Sequence, residues 1–334
     1  MVNETTPQPL VPQPDRIRLA MLGMVPGNGH PFSWSAIING RYDAERMASC
    51  GFPVIPQYLG AQPTGNLGIA GAEVTHVWCD DPADTLRVAD CCFIDNRIDR
   101  PEDAIGEVDA AFIATDLGYE HVERARPLIE AGVPLFIDKP LADREDHLEQ
   151  FVAWHEEGRA FHSSSAMRYS PPFVAIRERL DEVGKIKLIV LGMTKTWPTY
   201  GMHAIEAVAP LLEPGGWRTV RNAVEGESRI VHVHHDSGVE VLLPTIPGMS
   251  GGYGRLSIYG DQGTLTAKSD DTFTAFKSQI EAFIDYLRTG HRPVPFEHVA
   301  EQVRVLIAGI QSEARGGAPV DLTSIAAGQE TVIV

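Results

Sequence analysis

The sequence has no apolar run as long as the roughly 18 residues that a membrane-spanning helix requires, so we expect no transmembrane segment. Its start, MVNETTPQPLVPQPD, is polar and rich in proline, and it lacks the basic residues and the apolar core of a secretion signal. We therefore expect a flexible N-terminal arm over residues 1–15 and a cytoplasmic location.

Basic side chains are also scarce. Lysine and arginine together number 28 against 45 aspartates and glutamates, which gives a formal net charge of −17. This charge opposes binding to nucleic acid or to an anionic membrane. It does not oppose a phosphate-bearing cofactor, because a few backbone N–H groups can hold a phosphate on an acidic protein. We therefore expect a small-molecule ligand rather than a polyanionic partner.

Cysteine is rare as well, and the spacing is not that of metal ligands. We interpret all four cysteines as reduced thiols: Cys50, Cys79, Cys91 and Cys92. His232 and His234 lie two residues apart on a predicted strand and so face one way. Without a third ligand of matching geometry this pair is weak evidence for a metal, so we predict an exposed or interface sheet face and no metal site.

Apolar residues make up 43% of the chain and charged residues 22%, which is typical of a globular protein, and 334 residues suffice for two domains. Residues 16–165 alternate short apolar strands with helical segments, which predicts a doubly wound parallel sheet. Residues 166–334 show one strand after another from Arg229 onward. This second part is predicted to be an α+β domain with a large, mainly antiparallel open sheet.

A glycine-rich turn, GMVPGNGH, follows the first predicted strand at residues 17–22 and precedes a helix. Backbone N–H groups in such a turn hold the pyrophosphate of a dinucleotide, and glycines permit the close approach. The candidate cofactor residues are Gly23, Gly27, Asn28, Gly29 and His30. Their spacing is longer than the usual G-x-G-x-x-G, so a turn without a ligand remains an alternative. Residues 40–72 are predicted to be irregular, and they either help to cover the cofactor or, as the slightly favoured alternative, pad the surface.

The second predicted strand, at residues 73–78, ends in the run CDDP. An acidic side chain here accepts hydrogen bonds from an adenosine ribose, which favours NAD over NADP. No arginine follows directly to bind a 2′-phosphate. Asp80 and Asp81 are both candidates, and the spacing also allows Cys79 in that place. The alternative is that the aspartates only cap the helix that begins near Pro82.

Residues 108–140, VDAAFIATDLGYEHVERARPLIEAGVPLFIDKP, read as strand, helix and strand. Asp138-Lys139-Pro140 follows the second of these strands. Ligands of open α/β sheets bind outside the carboxyl ends of the strands, and Pro140 favours an extended conformation of Lys139. The sequence therefore places a lysine side chain where a ligand is expected.

This stretch resembles the signature of the Gfo/Idh/MocA oxidoreductases, which usually carry Glu-Lys-Pro where Asp138-Lys139-Pro140 stands here. The resemblance covers nearly the whole chain. It implies an NAD(P)-dependent enzyme acting on CH–OH groups of sugars, sugar derivatives or cyclitols, with a Rossmann domain and a homodimer or homotetramer formed through the open sheet. NAD is the expected cofactor, with NADP the less favoured choice.

The resemblance also implies cofactor contacts by Thr115, Asp116, His121 and Asp138. Two of these depart from the pattern or have another reading. The family commonly has a proline where Asp116 stands. For His121, packing at the start of a helix is the favoured alternative.

A second part of the resemblance lies at residues 199–203, where the family has Asp-x-Gly-x-His and this chain has TYGMH, predicted to open a helix. Histidine suits the transfer of a hydroxyl proton, and a lysine ammonium stabilises developing alkoxide charge. We therefore predict Lys139 and His203 as the catalytic residues. Thr199 occupies the aspartate position and cannot act as a base at neutral pH.

The substrate is expected to meet a group of side chains near these motifs. Aromatic faces pack against the C–H face of a sugar, although packing in the core is the favoured alternative for each aromatic ring. Arg168 matches an arginine of the family at the crossover between domains, where contact with substrate and locking of the domain interface are equally good readings. The candidates are Arg168, Tyr169, Trp197, Thr199, Tyr200 and His203.

Three functions remain open from the sequence. The leading hypothesis is hydride transfer between nicotinamide and a secondary alcohol of a sugar, sugar derivative or cyclitol. The second is redox-neutral cleavage of a glycoside with tightly held NAD⁺. The third is a nucleotide-binding regulatory protein without catalysis, which Thr199 favours.

Overall fold

A computed structural model describes residues 8–63, 65–249 and 254–325. The chain forms two compact units. The first comprises the described residues up to Leu141 together with Glu149–Ser163 and Phe276–Phe296. The second comprises Ala142–Leu148, Ser164–Ala275 and the described residues from Glu297 onward. The sequence predicted one boundary after residue 165, whereas the chain returns to the first unit late.

The return of the chain has a physical reason in aromatic packing. Phe283 lies with its ring centroid 5.2 Å from that of Phe112 and 5.6 Å from that of Phe136, which belong to the parallel sheet of the first unit. A helix joins the core that its apolar face fits, whatever its distance along the chain. Domain boundaries drawn by sequence position miss such a docking.

The first unit is built on a six-stranded parallel sheet with the order β3-β2-β1-β4-β5-β6. This order is that of a Rossmann fold, as the sequence predicted. The central strands β4 and β5 are buried at every position, which explains their unbroken apolar sequence. The strands are β1 Ile17–Leu22, β2 Ala72–Trp78, β3 Asn96–Arg97, β4 Ala110–Ile113, β5 Leu135–Ile137 and β6 Phe161–His162.

Helices separate these strands, and two of them lie where the sequence predicted irregular structure. The short helix α2 is capped by Asp43, whose carboxylate accepts the backbone N–H groups of Glu45 and Arg46. The helix α4 extends to Cys92, and the next strand begins at Asn96. The helices are α1 His30–Asn39, α2 Ala44–Ala48, α3 Val54–Gly60, α4 Pro82–Cys92, α5 His121–Glu130 and α6 Glu145–Glu156.

The predicted N-terminal arm is attached over its described part. The N–H of Leu10 donates to the carbonyl of Leu287 at 2.8 Å, and Val11 is buried. Arg288 donates through Nε to the carbonyl of Pro14 at 3.2 Å. The prediction of a flexible arm is therefore wrong for residues 8–15, while residues 1–7 lie outside the described part of the chain.

The second unit is built on a seven-stranded sheet with the order β12-β11-β7-β10-β9-β8-β13. All neighbouring strands are antiparallel except β7 and β10, so the predicted mainly antiparallel sheet is confirmed. The sequence missed β8, whose charged and amide side chains interrupt the apolar alternation. The strands are β7 Ile186–Gly192, β8 Trp217–Glu225, β9 Ser228–His235, β10 Glu240–Thr245, β11 Arg255–Gly260, β12 Thr264–Lys268 and β13 Val320–Asp321.

The remaining helices are α7 Pro171–Arg177, α8 Trp197–Val208, α9 Thr272–Thr289, α10 Phe296–Ala314 and α11 Leu322–Ile325. A single-turn 3-10 helix, Ala166–Tyr169, precedes α7. Within the described ranges, none of the helices combines the length and the apolar character needed to span a bilayer.

Candidate functional site

The first glycine of the predicted phosphate turn is required by close packing. Gly23 has φ +86°, and a Cβ added to it would lie 2.7 Å from Cγ2 of Thr115. Its N–H donates to the carbonyl of Trp78, and the N–H of Met24 donates to Asp80 at 3.1 Å. The turn after β1 is therefore held against the ends of both β2 and β4.

The other two glycines differ in their surroundings. Gly27 also has positive φ, +86°, and a Cβ added there would meet no atom within 4 Å, so the turn is open at this point. A Cβ on Gly29 would lie 2.5 Å from the ring of Phe52. Gly29 is the N-cap of α1, a helix without acidic residues in its first turn. This helix end suits an anionic group, and the segment containing Phe52 packs beside it rather than merely padding the surface.

Predicted cofactor residues from three strand ends meet at the carboxyl edge of the sheet. The Asn28 amide donates to the carbonyl of Ala114 at 3.1 Å and to Asp138 at 3.3 Å. His30 Nδ1 lies 2.7 Å from Oδ2 of Asp138, and its ring stacks on Trp34 with centroids 4.3 Å apart. The loops after β1, β4 and β5 are thus joined by polar contacts where the strand order reverses.

Lys139 is almost completely buried in this group, with 2% of its side chain exposed. Its Nζ lies 3.5 Å from Oδ2 of Asp116, and its own N–H donates to the Asp138 carboxylate at 2.7 Å. Burial acts to raise the pKa of Asp116, but the Lys139 ammonium, His30 and the Asn28 amide hold that pKa below its usual value. Asp116, which stands where the resembled family commonly has proline, is therefore a counter-ion of the lysine.

Two residues among the predicted cofactor contacts are buried against protein groups. The ring of His121 is wholly buried, with Nδ1 2.9 Å from the carbonyl of Pro140 and Nε2 2.9 Å from the carbonyl of Thr115. Burial lowers the pKa of His121. The ring bridges the loops after β4 and β5, so the packing alternative is the better reading. The Thr115 side chain is likewise buried, against Gly23.

The two aspartates after β2 have different roles. Asp81 is the N-cap of α4 and accepts the N–H of Ala83 at 2.8 Å, which is the capping alternative. Asp80 accepts the N–H of Met24, as above, and Arg124 NH2 at 2.7 Å. Asp80 therefore lies beside the glycine turn, with an arginine that the local sequence did not reveal.

A cavity of about 500 Å³ opens beside Asp80. The glycine turn, the start of α4 and the segment between α2 and α3 form its walls. Its two nearby arginines are already paired. Arg87 donates to Asp84 at 2.7 Å and to the carbonyl of Cys50 at 2.8 Å, and Arg124 is held by Asp80 and Glu120. The lining includes Cys50, Phe52, Asp80, Asp81, Asp84 and Arg87.

His203 of the second unit lies within α8 rather than at its start, since the helix begins at Trp197. It is 4% exposed, and its Nδ1 lies 2.7 Å from the hydroxyl oxygen of Ser165. The ring of Tyr200 contacts it edge-on, with centroids 5.0 Å apart. Ser165 was not predicted, because 38 residues separate it from His203 and nothing local links the two.

The hydroxyl of Thr199 contacts that of Thr196 at 2.8 Å at the start of α8. Its position one turn before His203 is thus used to order the helix N-terminus. Tyr200 lies under the ammonium of Lys195, 4.5 Å from the ring centroid. Thr199 and Tyr200 therefore remain predicted substrate contacts near His203.

Arg168 is paired inside the second unit. Its guanidinium contacts the buried carboxylate of Glu206 and donates to Oε1 of Gln302 at 2.9 Å. Burial raises the pKa of Glu206, while Arg168 and Arg177 act to lower it. The sequence offered two roles for Arg168, contact with substrate and locking of the domain interface. It did not predict this ion pair inside the second unit. Burial also raises the pKa of the neighbouring Tyr169 to about 12, so this phenol stays protonated at neutral pH.

Trp197, a candidate sugar contact, is a core residue, which is the alternative that the sequence favoured. It is 0% exposed, and its indole N–H donates to the carbonyl of Leu306 at 2.9 Å. A Cβ on Gly201 or on Gly309 would overlap its ring, so both glycines make room for it. The packing alternative is therefore correct for this ring.

His232 and His234 face the same way on β9, as predicted, and both contact Glu240 on β10. The three side chains are each a little under half exposed. Across residues 8–63, 65–249 and 254–325 there is no cluster of three or more His, Cys, Asp or Glu side chains arranged to hold a metal ion.

No family model matches the sequence. A proposed UDP-kanosamine synthase oxidoreductase subunit of Amycolatopsis mediterranei (strain S699) is 28% identical over 134 residues, which is 34% of this chain and 37% of that protein. The match spans little more than a third of the relative's length.

Solved structures resemble the chain over most of its length. Myo-inositol 2-dehydrogenase of Lactobacillus plantarum has a TM-score of 0.71 at 15% identity, covering 92% of this chain and 99% of that one. Scyllo-inositol dehydrogenase of Lactobacillus casei, with bound NAD(H) and scyllo-inositol, has a TM-score of 0.71 at 13% identity, covering 92% and 100%. These likenesses establish the fold.

Proposed function

We propose that the chain is an NAD-dependent oxidoreductase of the Gfo/Idh/MocA type. It transfers a hydride between nicotinamide and a secondary alcohol of a sugar, sugar derivative or cyclitol. The observation that carries the proposal is the polar group formed by Asn28, His30, Asp116, Asp138 and Lys139 at the reversal of strand order. Dinucleotides bind at this place in open α/β sheets. The inositol dehydrogenases of the same fold and the oxidoreductase relative support the substrate class.

The residues have distinct chemical tasks in this proposal. Bound NAD⁺ supplies the hydride acceptor. Lys139, whose Nζ lies beside the Asp116 carboxylate, donates a hydrogen bond to the substrate oxygen and stabilises the negative charge that develops there. His203 takes up the hydroxyl proton, because a neutral imidazole accepts a proton readily near neutral pH. Asp138 and His30 hold the backbone and the loop that carry Lys139.

We assign NAD rather than NADP as the cofactor. Asp80, Asp81 and Asp84 line the cavity beside the glycine turn, and both adjacent arginines are paired with carboxylates. A 2′-phosphate placed there would face like charges, and the described lining offers it no unpaired cation, whereas ribose hydroxyls can donate to a carboxylate. The partly exposed ring of Phe52 offers an apolar wall for the adenine.

Calorimetric titration of the nucleotide-free protein with NAD(H) and NADP(H) tests this assignment, followed by a screen of sugars and cyclitols by NADH absorbance. We expect NAD to bind at least about tenfold more tightly, since one lost charge-assisted hydrogen bond costs about 1.5–3 kcal/mol. Asp80→Ser should weaken NAD binding and narrow the preference. Asp285→Ser, an exposed position on α9, is the control. Tighter binding of NADP would overturn the cofactor assignment. A protein that binds neither nucleotide would overturn the proposal of an oxidoreductase.

We further propose a homo-oligomer formed through the outer face of the seven-stranded sheet. Ile230 on β9 and Tyr259 on β11 are large apolar side chains about 40% exposed on this sheet. Two such side chains are by themselves normal on a protein surface, so the proposal rests mainly on the resemblance to the Gfo/Idh/MocA oxidoreductases. A monomeric mass by light scattering would contradict the proposal.

A further inference from the structure

Ser165 holds an unusual place beside His203. It is 0% exposed, and its oxygen accepts the backbone N–H of Met167 at 3.1 Å, which makes it the N-cap of the 3-10 helix Ala166–Tyr169. The same oxygen lies 2.7 Å from Nδ1 of His203. The backbone contact fixes the oxygen, so the imidazole meets a partner that is already in position.

A second contact joins the same two elements in the same register. Arg168, three residues after Ser165, contacts Glu206, three residues after His203. Both pairs are therefore 38 residues apart. Because Arg168, Glu206 and Gln302 also hold the 3-10 helix against α8, the place of residue 165 does not depend on its hydroxyl alone. A variant at this position should keep the surrounding structure.

A hydroxyl differs from a carboxylate as a histidine partner. It has one proton to donate and two lone pairs to accept. With one lone pair occupied by the Met167 N–H, the hydroxyl can still donate to a neutral Nδ1 or accept from a protonated Nδ1. A carboxylate only accepts, and it favours the protonated imidazole. The hydroxyl thus keeps the ring in place through both halves of a proton transfer.

The resembled family has an aspartate at the helix position that Thr199 occupies in this chain. Thr199 contacts Thr196 through its hydroxyl, at the N-terminus of α8. The ordering contact on Nδ1 of His203 comes instead from Ser165, in another element of the same unit.

We propose that Ser165 is the positioning residue of His203, whose hydroxyl holds Nδ1 of the imidazole through both protonation states. This inference rests on the proposed function insofar as His203 transfers the substrate proton. The contact itself can be tested without any substrate.

The test uses protein labelled with ¹⁵N at histidine, with the His203 signals assigned by their loss in His203→Gln. Ser165→Ala is expected to shift the imidazole nitrogen signals and the midpoint of their pH titration. It should lower kcat about 10- to 100-fold with little change in KM, since misplacing a catalytic group costs up to about that factor. Ser165→Thr, which keeps the hydroxyl, should restore kcat to within a few-fold and alter the pH profile little.

Ser170→Ala is the matched control, because Ser170 is equally buried and its hydroxyl donates to Ser269 at 2.8 Å, away from His203. It should leave the His203 signals and kcat unchanged. If Ser165→Ala fails to fold, Ser165→Cys gives the same comparison, because a thiol is only a weak hydrogen-bonding group.

Nitrogen signals, titration and kcat that match the wild type in the Ser165 variant would overturn the inference. Shifted signals in a protein that turns over no sugar or cyclitol would uphold the contact and overturn the proposed function instead.

Discussion

Replacing Lys139 by methionine is expected to lower kcat by about 10²- to 10³-fold, the range found when one donor to a developing oxyanion is removed. Methionine is similar in length and suits a site where the lysine is 2% exposed, so the fold should persist. The substitution removes the cation that lowers the pKa of Asp116 and leaves the burial that raises it, so this pKa should rise. Steady-state kinetics on the best sugar or cyclitol from the screen would measure the effect.

Lys268→Met is the control for this experiment, because Lys268 is an exposed residue on the edge strand β12. It should leave kcat unchanged. An unaltered kcat in Lys139→Met would contradict the catalytic role. Binding of NAD without turnover by the wild-type protein would favour the regulatory function that Thr199 suggested.

Replacing Arg168 by methionine is expected to cost about 3–5 kcal/mol of stability, because it leaves the carboxylate of Glu206 buried without its ion partner. The side chain of Glu206 is 1% exposed and that of Arg168 is 12% exposed, so solvent screens the pair little. The double variant Arg168→Met/Glu206→Gln should recover much of the loss, since it removes both charges of the pair, although the guanidinium of Arg177 stays nearby. Urea unfolding of the four proteins of this cycle would measure both values.

The stability lost on replacing Arg168 by methionine should also depend on pH. Burial raises the folded-state pKa of Glu206 above its usual value of 4.5, and removing Arg168 raises it further. A folded state that binds the proton more tightly than the unfolded chain is favoured at low pH, and this advantage disappears as pH rises through the folded-state pKa. The deficit of Arg168→Met should therefore be largest at neutral pH and shrink toward pH 4.5.

Arg179→Met is the matched control, because Arg179 makes a two-bond contact with Glu182 on the exposed surface. It should not change the unfolding midpoint measurably. A deficit of Arg168→Met that is equal at pH 7 and pH 5 would mean that lost packing, and not the buried charge, causes it.

Local patterns in the sequence were sufficient for much of the first unit. The apolar run of β1 has the predicted bounds, residues 17–22. The glycine turn, Asp138 and Lys139 lie at the carboxyl edge of the sheet because a strand's end and a turn's backbone are local properties. Hydrophobic periodicity and positive φ at glycine are encoded within a few residues, and for that reason they can be read without coordinates.

The contacts that define the candidate site join residues that lie far apart in the sequence. Lys139 meets Asp116 across 23 residues, Ser165 meets His203 across 38, and Arg168 meets Gln302 across 134. Trp197 is a core residue because the carbonyl of Leu306 and two glycines lie around its indole. Which polar groups become partners depends on how distant elements pack, since burial without a partner costs each of them free energy. The residues suited to the proposed chemistry can therefore be identified from the sequence. Their partners, protonation and burial follow from the packing of the folded chain.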